Sequence, residues 1–113
     1  MIQIYHNPRC SKSREGLSIL EESGKDFEII DYMNEKISET DLRELIQKLK
    51  IKPIELVRKN EEIWKENYKD KNLTDEEIIK AMSENPKLIE RPIVINKGKA
   101  VIGRPPALIK DIL

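Results

Sequence analysis

The strongest constraint on the fold of this 113-residue sequence is the pattern of its first 32 residues. Residues 2–5 form a short apolar segment that is typical of a buried strand. Residues 11–22 have helical spacing of apolar side chains, and residues 26–32 alternate and then run apolar, as a second strand does. A strand, a helix and a strand within about thirty residues predict a βαβ unit with parallel strands and a right-handed crossover.

The polar turn between the first strand and the helix carries the only cysteine of the chain, Cys10. Either Cys10 or Ser11 is predicted to begin the helix, and Gly24 follows the helix where a left-handed C-cap belongs. A cysteine at a helix N-terminus receives unpaired backbone N–H groups and the positive end of the helix dipole. Cysteines in such positions have pKa values of roughly 3.5–7.5, so a thiolate is expected.

Two interpretations of Cys10 compete. A lone cysteine often packs as a small buried hydrophobe. Here, however, residues 7–14 are too polar to line a core, which favours an accessible thiol. Arg9, Lys12 and Arg14 add positive charge to the turn, and His6 is available as a hydrogen-bond donor. The sequence therefore predicts a nucleophile on an anion-binding turn. Because position 13 is a serine, this turn cannot form a Cys-x-x-Cys disulfide.

The middle of the chain reads as a helical insertion at about residues 38–84. Ser38 and Asp41 are a variant capping signal before apolar residues at helical spacing. Pro53 is predicted to open a second helix that runs through Ile63. Residues 74–77 form a capping box for a third helix, which Asn85-Pro86 ends. Trp64 and Tyr68 are interpreted as packing residues rather than a ligand cage.

The last third returns to strands at residues 92–96 and 100–103, with a hairpin loop at 97–99. Residues 105–113 are predicted to form a short terminal helix. The element order βαβ, helices, ββα indicates an α/β fold, a thioredoxin-like mixed sheet with a helical insertion. We expect residues 1–113 to form one such domain.

Composition narrows the possible partners. The chain has 21 basic and 21 acidic residues, so no net field recruits nucleic acid or a membrane surface. The absence of a long apolar run argues against a transmembrane helix, and the polar residues near the start argue against a secretory signal. A single cysteine suits a reducing, cytoplasmic location. A His-rich metal site is excluded because there is one histidine, and the carboxylates show no recognisable metal-ligand spacing.

Three arginines outside the turn stand out by context. Arg58 separates an apolar from a highly polar segment, Arg91 precedes a proline and a strand, and Arg104 precedes two prolines. The planar guanidinium fork suits tetrahedral oxyanions. From spacing alone, each of these three arginines is more often a solvent-exposed surface residue than an anion ligand. The Arg91–Pro92 bond could be cis, but most bonds that precede a proline in folded proteins are trans.

Four segments together resemble the glutaredoxin-coupled arsenate reductases of the ArsC/Spx-like superfamily. They are residues 4–14 (IYHNPRCSKSR), 56–59 (LVRK), 89–94 (IERPIV) and 102–105 (IGRP). The resemblance spans essentially the whole chain in the right order and implies the same thioredoxin-like fold.

The resemblance also implies an activity, the reduction of arsenate. It makes Cys10 the nucleophile, and it gives His6 the role of lowering the pKa of Cys10. It implies that five residues bind the arsenate oxyanion, and that Arg91–Pro92 is a structural cis bond. The five are Arg58, Arg91, Arg104, Ser13 and Arg14.

No bound cofactor is expected. Glutathione would be the co-substrate that attacks the arsenic on Cys10, and glutaredoxin would reduce the resulting disulfide. A monomer is expected. The superfamily leaves two alternatives, a Spx-like transcriptional regulator that binds RNA polymerase and a thiol oxidoreductase with another substrate. Ser13 argues against the disulfide switch of the regulators.

Overall fold

The structure is a computed structural model that describes every residue from Met1 to Leu113. The chain divides into two compact units. The first unit consists of Met1–Asn34 and Arg91–Leu113, and the second consists of Glu35–Glu90. In sequence, therefore, the second unit lies between the two segments of the first.

The first unit contains the sheet. Its elements are β1 (Ile2–Tyr5), α1 (Ser11–Ser23), β2 (Phe27–Ile30), β3 (Ile93–Asn96), β4 (Lys99–Ile102) and a 3-10 helix (Pro106–Ile112). The four strands have the order β2-β1-β3-β4. β1 and β2 are parallel, as predicted, whereas β3 is antiparallel to both β1 and β4. The sheet is thus mixed.

Apolar residues on α1, the strands and the terminal segment explain why these elements pack together. The core of the unit is formed by Ile2, Ile4, Leu20, Val94 and Ile109. Alternate residues of β1 are buried, because successive side chains of a strand point to opposite faces. Every residue of β3 is buried.

Several predicted strand boundaries in this unit shift by one or two residues. β2 is shorter than the predicted 26–32, and β4 begins at Lys99. Lys99 pairs with Asn96, which leaves Lys97 and Gly98 as a two-residue hairpin loop. Both loop residues have positive φ, 52° and 79°, because a two-residue turn of this type matches the strand twist only with left-handed backbone at both positions. The C-terminal segment is helical but of the 3-10 type.

The second unit is helical. Its elements are α2 (Glu39–Leu49), a 3-10 turn (Pro53–Leu56), α3 (Glu62–Asn67), α4 (Asp75–Glu84) and a second 3-10 turn (Pro86–Leu88). The predicted caps of α2 and α4 are present. The Ser38 hydroxyl accepts the backbone N–H of Asp41 at 3.1 Å. Thr74 and Glu77 accept each other's backbone N–H groups at 3.2 and 2.9 Å.

The predicted helix from Pro53 through Ile63 is wrong. A 3-10 turn ends at Leu56, and Val57 is extended and forms an antiparallel bridge with Ile89. The Arg58 N–H donates to the Leu88 carbonyl at 2.7 Å, and the Glu90 N–H donates to the Leu56 carbonyl at 2.9 Å. These non-local bonds satisfy the backbone groups that a continuous helix would have paired locally, and β-branched Val57 suits the extended backbone.

Trp64 is a packing residue, as predicted, and it stacks on Tyr68, a pairing that the sequence did not indicate. Their ring centroids lie 5.5 Å apart at an interplanar angle of 27°, and Trp64 is buried. None of the helices combines the length and the apolar character needed to cross a membrane.

Candidate active site

The turn between β1 and α1 is held by its own polar groups. The Asn7 carbonyl accepts the Cys10 N–H at 3.0 Å, and the Asn7 side-chain oxygen accepts the Arg9 N–H at 3.0 Å. The Arg14 guanidinium donates to the Pro8 carbonyl at 2.9 Å. An asparagine that folds back on its own backbone in this way fixes a tight turn. The turn therefore presents Cys10 in a defined position.

Cys10 is the N-cap residue of α1. Its backbone is extended (φ −100°, ψ 124°), and its carbonyl accepts the Arg14 N–H at 3.0 Å, which begins the helix. No side-chain oxygen caps α1. The backbone N–H groups of Ser13 and Lys12 instead interact with the sulfur of Cys10. The free donors of the first helical turn therefore converge on the thiol.

His6 and Ser13 form a buried pair beside the turn. The His6 Nδ1 lies 2.7 Å from the Ser13 hydroxyl oxygen, and the Asn7 N–H donates to the same oxygen at 2.9 Å. Burial lowers the pKa of His6, against the opposing effect of the Ser13 contact, so the imidazole is neutral near pH 7. A neutral ring that accepts the Ser13 hydroxyl proton at Nδ1 carries its own proton on Nε2.

Arg91 and Arg104 come from the two segments that flank the β3–β4 hairpin. The Arg104 Nε donates to the Arg91 carbonyl at 2.9 Å, while its Nη2 lies 3.7 Å from the Cys10 sulfur. The Arg91 side chain also donates a hydrogen bond to the Cys10 sulfur. Residues far apart in sequence thus bring two guanidinium groups to one thiol.

The chain before and after the hairpin approaches α1 closely because of two glycines. The Arg91–Pro92 and Arg104–Pro105 bonds are both cis, as the resemblance implies for the first. A Cβ on Gly16 would lie 2.8 Å from Pro92 Cγ, and one on Gly103 would lie 2.9 Å from the same atom. Any larger residue at either position would push Pro92 away. Pro92 therefore occupies a fixed place between the helix and the hairpin, next to Arg91.

The balance of these contacts favours the thiolate. Burial raises the pKa of Cys10, but the Ser13 N–H, the hydrogen bond and charge of Arg91 and the Lys12 N–H together outweigh burial. The pKa of Cys10 consequently lies below its ordinary value. The turn therefore holds a partly exposed thiol whose ionisation is favoured by nearby cations, an arrangement suited to nucleophilic attack on an anion.

The structure brings four of the predicted site residues to Cys10 and gives the other two different contacts. His6, Ser13, Arg91 and Arg104 surround Cys10 within the first unit, directly or through Ser13. His6 reaches the thiol only by way of Ser13, whose side chain is fully buried. Ser13 therefore faces Cys10 through its backbone N–H.

The two remaining arginines make other contacts. The Arg14 side chain supports the turn at Pro8. Arg58 belongs to the second unit, where its Nε lies 3.4 Å from a Glu61 carboxylate oxygen. Its role in binding an anion stays a prediction.

Sequence reasoning missed Asn7, Gly16 and Gly103 as residues that build this site. Asn7 precedes a proline at the start of a turn, which is a recognisable turn signal. Gly16 lies in a helix interior, where glycine costs about 1 kcal/mol relative to alanine and thereby indicates a close contact. No group of three His, Cys, Asp or Glu side chains is arranged to hold a metal ion.

Residues 5–112 match the model of the ArsC family. The chain belongs to the ArsC family. It is 45% identical to an arsenate reductase of Haemophilus influenzae, with 97% of each chain covered. It is 46% identical to the Escherichia coli K12 protein YfgD, described as uncharacterized, with 99% of this chain and 96% of that one covered.

Solved structures agree with this membership. The arsenate reductase from Vibrio cholerae superposes on this ArsC-family chain with a TM-score of 0.94 at 45% identity, covering 99% of this chain and 97% of that one. The predicted thioredoxin-like mixed α/β fold is therefore confirmed.

Proposed function

We propose that this protein is an arsenate reductase in which Cys10 forms the covalent bond to arsenic. The observation that carries the proposal is the convergence of Arg91 and Arg104 on a thiol whose pKa is lowered. Relatives at 39–45% identity that are named arsenate reductases support the same activity.

Arsenate fits the chemistry of this site. It is a tetrahedral dianion near neutral pH, and the guanidinium groups offer paired N–H donors to such oxygens. In the proposed complex Arg91 and Arg104 bind the oxyanion, while the N–H groups of the first turn of α1 keep Cys10 ionised. Arg58 is proposed as a further ligand on the strength of the family resemblance alone.

The supporting residues are given indirect roles. We assign His6 and Ser13 to positioning, because the neutral imidazole fixes the Ser13 side chain and the Ser13 N–H faces the sulfur. Arg14 steadies the turn through Pro8, and its positive charge also favours an anion nearby. Pro92 keeps Arg91 beside the site.

The proposed reaction begins when the Cys10 thiolate forms a sulfur–arsenic bond and one arsenate oxygen leaves as water. Glutathione then attacks the arsenic adduct. Two thiol groups supply the two electrons that reduce As(V) to As(III), and they end as one disulfide. Because this chain has a single cysteine, that disulfide involves an external thiol, and glutaredoxin is the proposed reductant. The proposal requires no bound cofactor, and it envisages a monomer acting in the cytoplasm.

The decisive experiment is a coupled assay that follows NADPH oxidation with arsenate, glutathione, glutaredoxin and glutathione reductase. We expect turnover with the wild type and none with Cys10→Ser, while both variants have the same circular dichroism spectrum. Mass spectrometry of the wild type with arsenate but no thiol tests the first step separately. Turnover that survives in Cys10→Ser contradicts the role of Cys10.

Failure of the wild type in both assays contradicts the proposed activity. In that case specific capture of RNA polymerase subunits would favour the regulator alternative. Reduction of glutathione mixed disulfides without arsenate turnover would favour a thiol oxidoreductase with another substrate.

A further inference from the structure

The second unit contains a groove of about 660 Å³ that the chemistry of Cys10 does not use. All of its lining residues belong to Glu35–Glu90. Four lysines and one carboxylate contribute to the lining, together with the tryptophan of α3. These residues are Lys59, Lys65, Lys69, Lys71, Asp75 and Trp64.

The lining of the groove is net cationic, with four lysines against one carboxylate, in a chain with no net charge. None of the four lysines pairs with a carboxylate within 4 Å, although other lysines and arginines of the chain do. All four are exposed. Lys71 also acts on the exposed Glu77, whose pKa it helps to lower. The other three lysines have no such partner, and the lining creates a local potential that attracts anions.

The backbone that carries the lysines is ordered by hydrogen bonds. The Trp64 carbonyl accepts the N–H groups of both Tyr68 and Lys69 at 2.9 Å, and the Tyr68 carbonyl accepts the Lys71 N–H at 3.1 Å. At the start of α3, the Lys65 N–H donates to the Glu61 carbonyl at 3.2 Å. The backbone of the groove is consequently preformed, which reduces the backbone entropy lost when a ligand binds.

Two features argue for a protein ligand rather than a nucleotide. A nucleobase would need an open aromatic face, but Trp64 is 6% exposed and already stacked on Tyr68. The lining also supplies lysine point charges and no arginine fork to grip a phosphate. Dispersed lysines along an open groove suit the spaced carboxylates of an acidic segment.

We propose that this groove binds an acidic segment of a partner protein. Salt-sensitive charge pairs between the four lysines and the partner's Asp or Glu side chains speed the encounter and fix its register. The proposed binding does not require the chemistry at Cys10. The two proposals can therefore be tested separately, and failure of one does not contradict the other.

The single tryptophan of the chain makes the groove directly observable. The probe is a decaglutamate peptide, which has no aromatic residue, titrated against the intrinsic fluorescence of Trp64. We expect saturable binding that weakens about tenfold when salt rises from roughly 50 to 300 mM. The double variants Lys59→Gln/Lys65→Gln and Lys69→Gln/Lys71→Gln should each weaken binding about fivefold.

The matched control removes the same charge elsewhere. Lys25 and Lys99 are exposed lysines of the first unit, so Lys25→Gln/Lys99→Gln should leave the affinity for decaglutamate unchanged. Equal weakening by the control would mean non-specific attraction and overturn the proposal. Tighter binding of inorganic tripolyphosphate, abolished by the same groove variants, would assign the groove to phosphates and also overturn it.

Discussion

The N-termini of two helices, one in each unit, are built in opposite ways. In the second unit, α4 begins with a complete capping box at Thr74 and Glu77 and has three acidic residues in its first turn. In the first unit, α1 begins at Cys10 with no side-chain cap and no acidic residue in its first turn. Both helices have free N–H groups at their ends, but only α4 neutralises them with its own side chains.

This difference indicates what each helix end does. A capped end contributes to stability, whereas an uncapped end keeps its N–H donors and its positive dipole for another group. In α1 that group is the Cys10 sulfur, and the guanidinium groups of Arg91 and Arg104 add to the same positive region. Because α1 has no side-chain cap, the N–H groups of its first turn are free to lower the pKa of Cys10.

The largest effect is expected from removing these guanidinium groups. Arg91→Ala or Arg104→Ala should lower arsenate turnover about 10²-fold, because each deletes a charged donor that stabilises the developing negative charge. Lysine at either position should restore only part of the rate, since it keeps the charge but loses the planar fork. The kcat and KM of each variant, measured in the coupled assay, test this expectation.

Arg43→Ala is the matched control for these variants. Arg43 makes its contacts with Glu76 in the second unit, through an exposed salt bridge of the kind that contributes little to stability. Turnover should be unchanged. If Arg43→Ala reduces turnover as much as Arg104→Ala, the loss reflects general damage and the proposed anion site is wrong.

A smaller effect is expected at Gly16, which lets Pro92 approach α1. Gly16→Ala places a methyl group 2.8 Å from Pro92 Cγ and 2.9 Å from Ile109 Cδ1, which should cost about 1–3 kcal/mol. Because alanine regains about 1 kcal/mol of helix propensity, the free energy of unfolding should fall by up to about 2 kcal/mol. Ser18→Ala, an exposed change in the same helix, is the control. Denaturant titration of both variants measures the difference. A Gly16→Ala protein as stable as the control would show that Pro92 is not held by this contact.

The smallest effects concern the caps themselves. Thr74→Ala should lower the free energy of unfolding by about 1 kcal/mol, and Thr74→Ser should retain most of it. Cys10→Ser places a preferred capping residue on α1, so it should leave stability equal or higher while removing turnover. Thermal unfolding compares the three variants. A loss in Cys10→Ser as large as that in Thr74→Ala would contradict the contrast between the two helix ends.

Local signals in the sequence were sufficient wherever one segment decides its own structure. The capping residues Ser38 and Thr74 predicted the starts of α2 and α4, and Gly24 predicted the left-handed end of α1, where φ is 72°. The strand–helix–strand order within about thirty residues predicted the parallel pairing of β1 and β2. These elements follow from short-range chemistry that a sequence displays openly.

Features that depend on distant residues were not accessible in this way. The helical spacing of apolar residues around Val57 was misleading. Val57 forms an antiparallel bridge with Ile89, and this bridge pairs the backbone groups that a helix would have paired locally. The pair of His6 and Ser13 requires the fold of the turn. The approach of Arg104 to Cys10 joins residues 94 positions apart, and only the family resemblance indicated it. Propensity and periodicity carry no information about such contacts.

The most direct test of the central claim, that α1 and the arginines hold Cys10 as a thiolate, is its alkylation rate as a function of pH. Because the chain has one cysteine, the rate of iodoacetamide labelling reports this thiol alone. A lowered pKa means that the reactive thiolate persists as pH falls below the usual range and is lost only at the lower value. We predict a midpoint below about 8.5, the value of a free cysteine, and an upward shift in Arg91→Ala. A wild-type midpoint at or above about 8.5 would show that the helix and the arginines do not favour the thiolate.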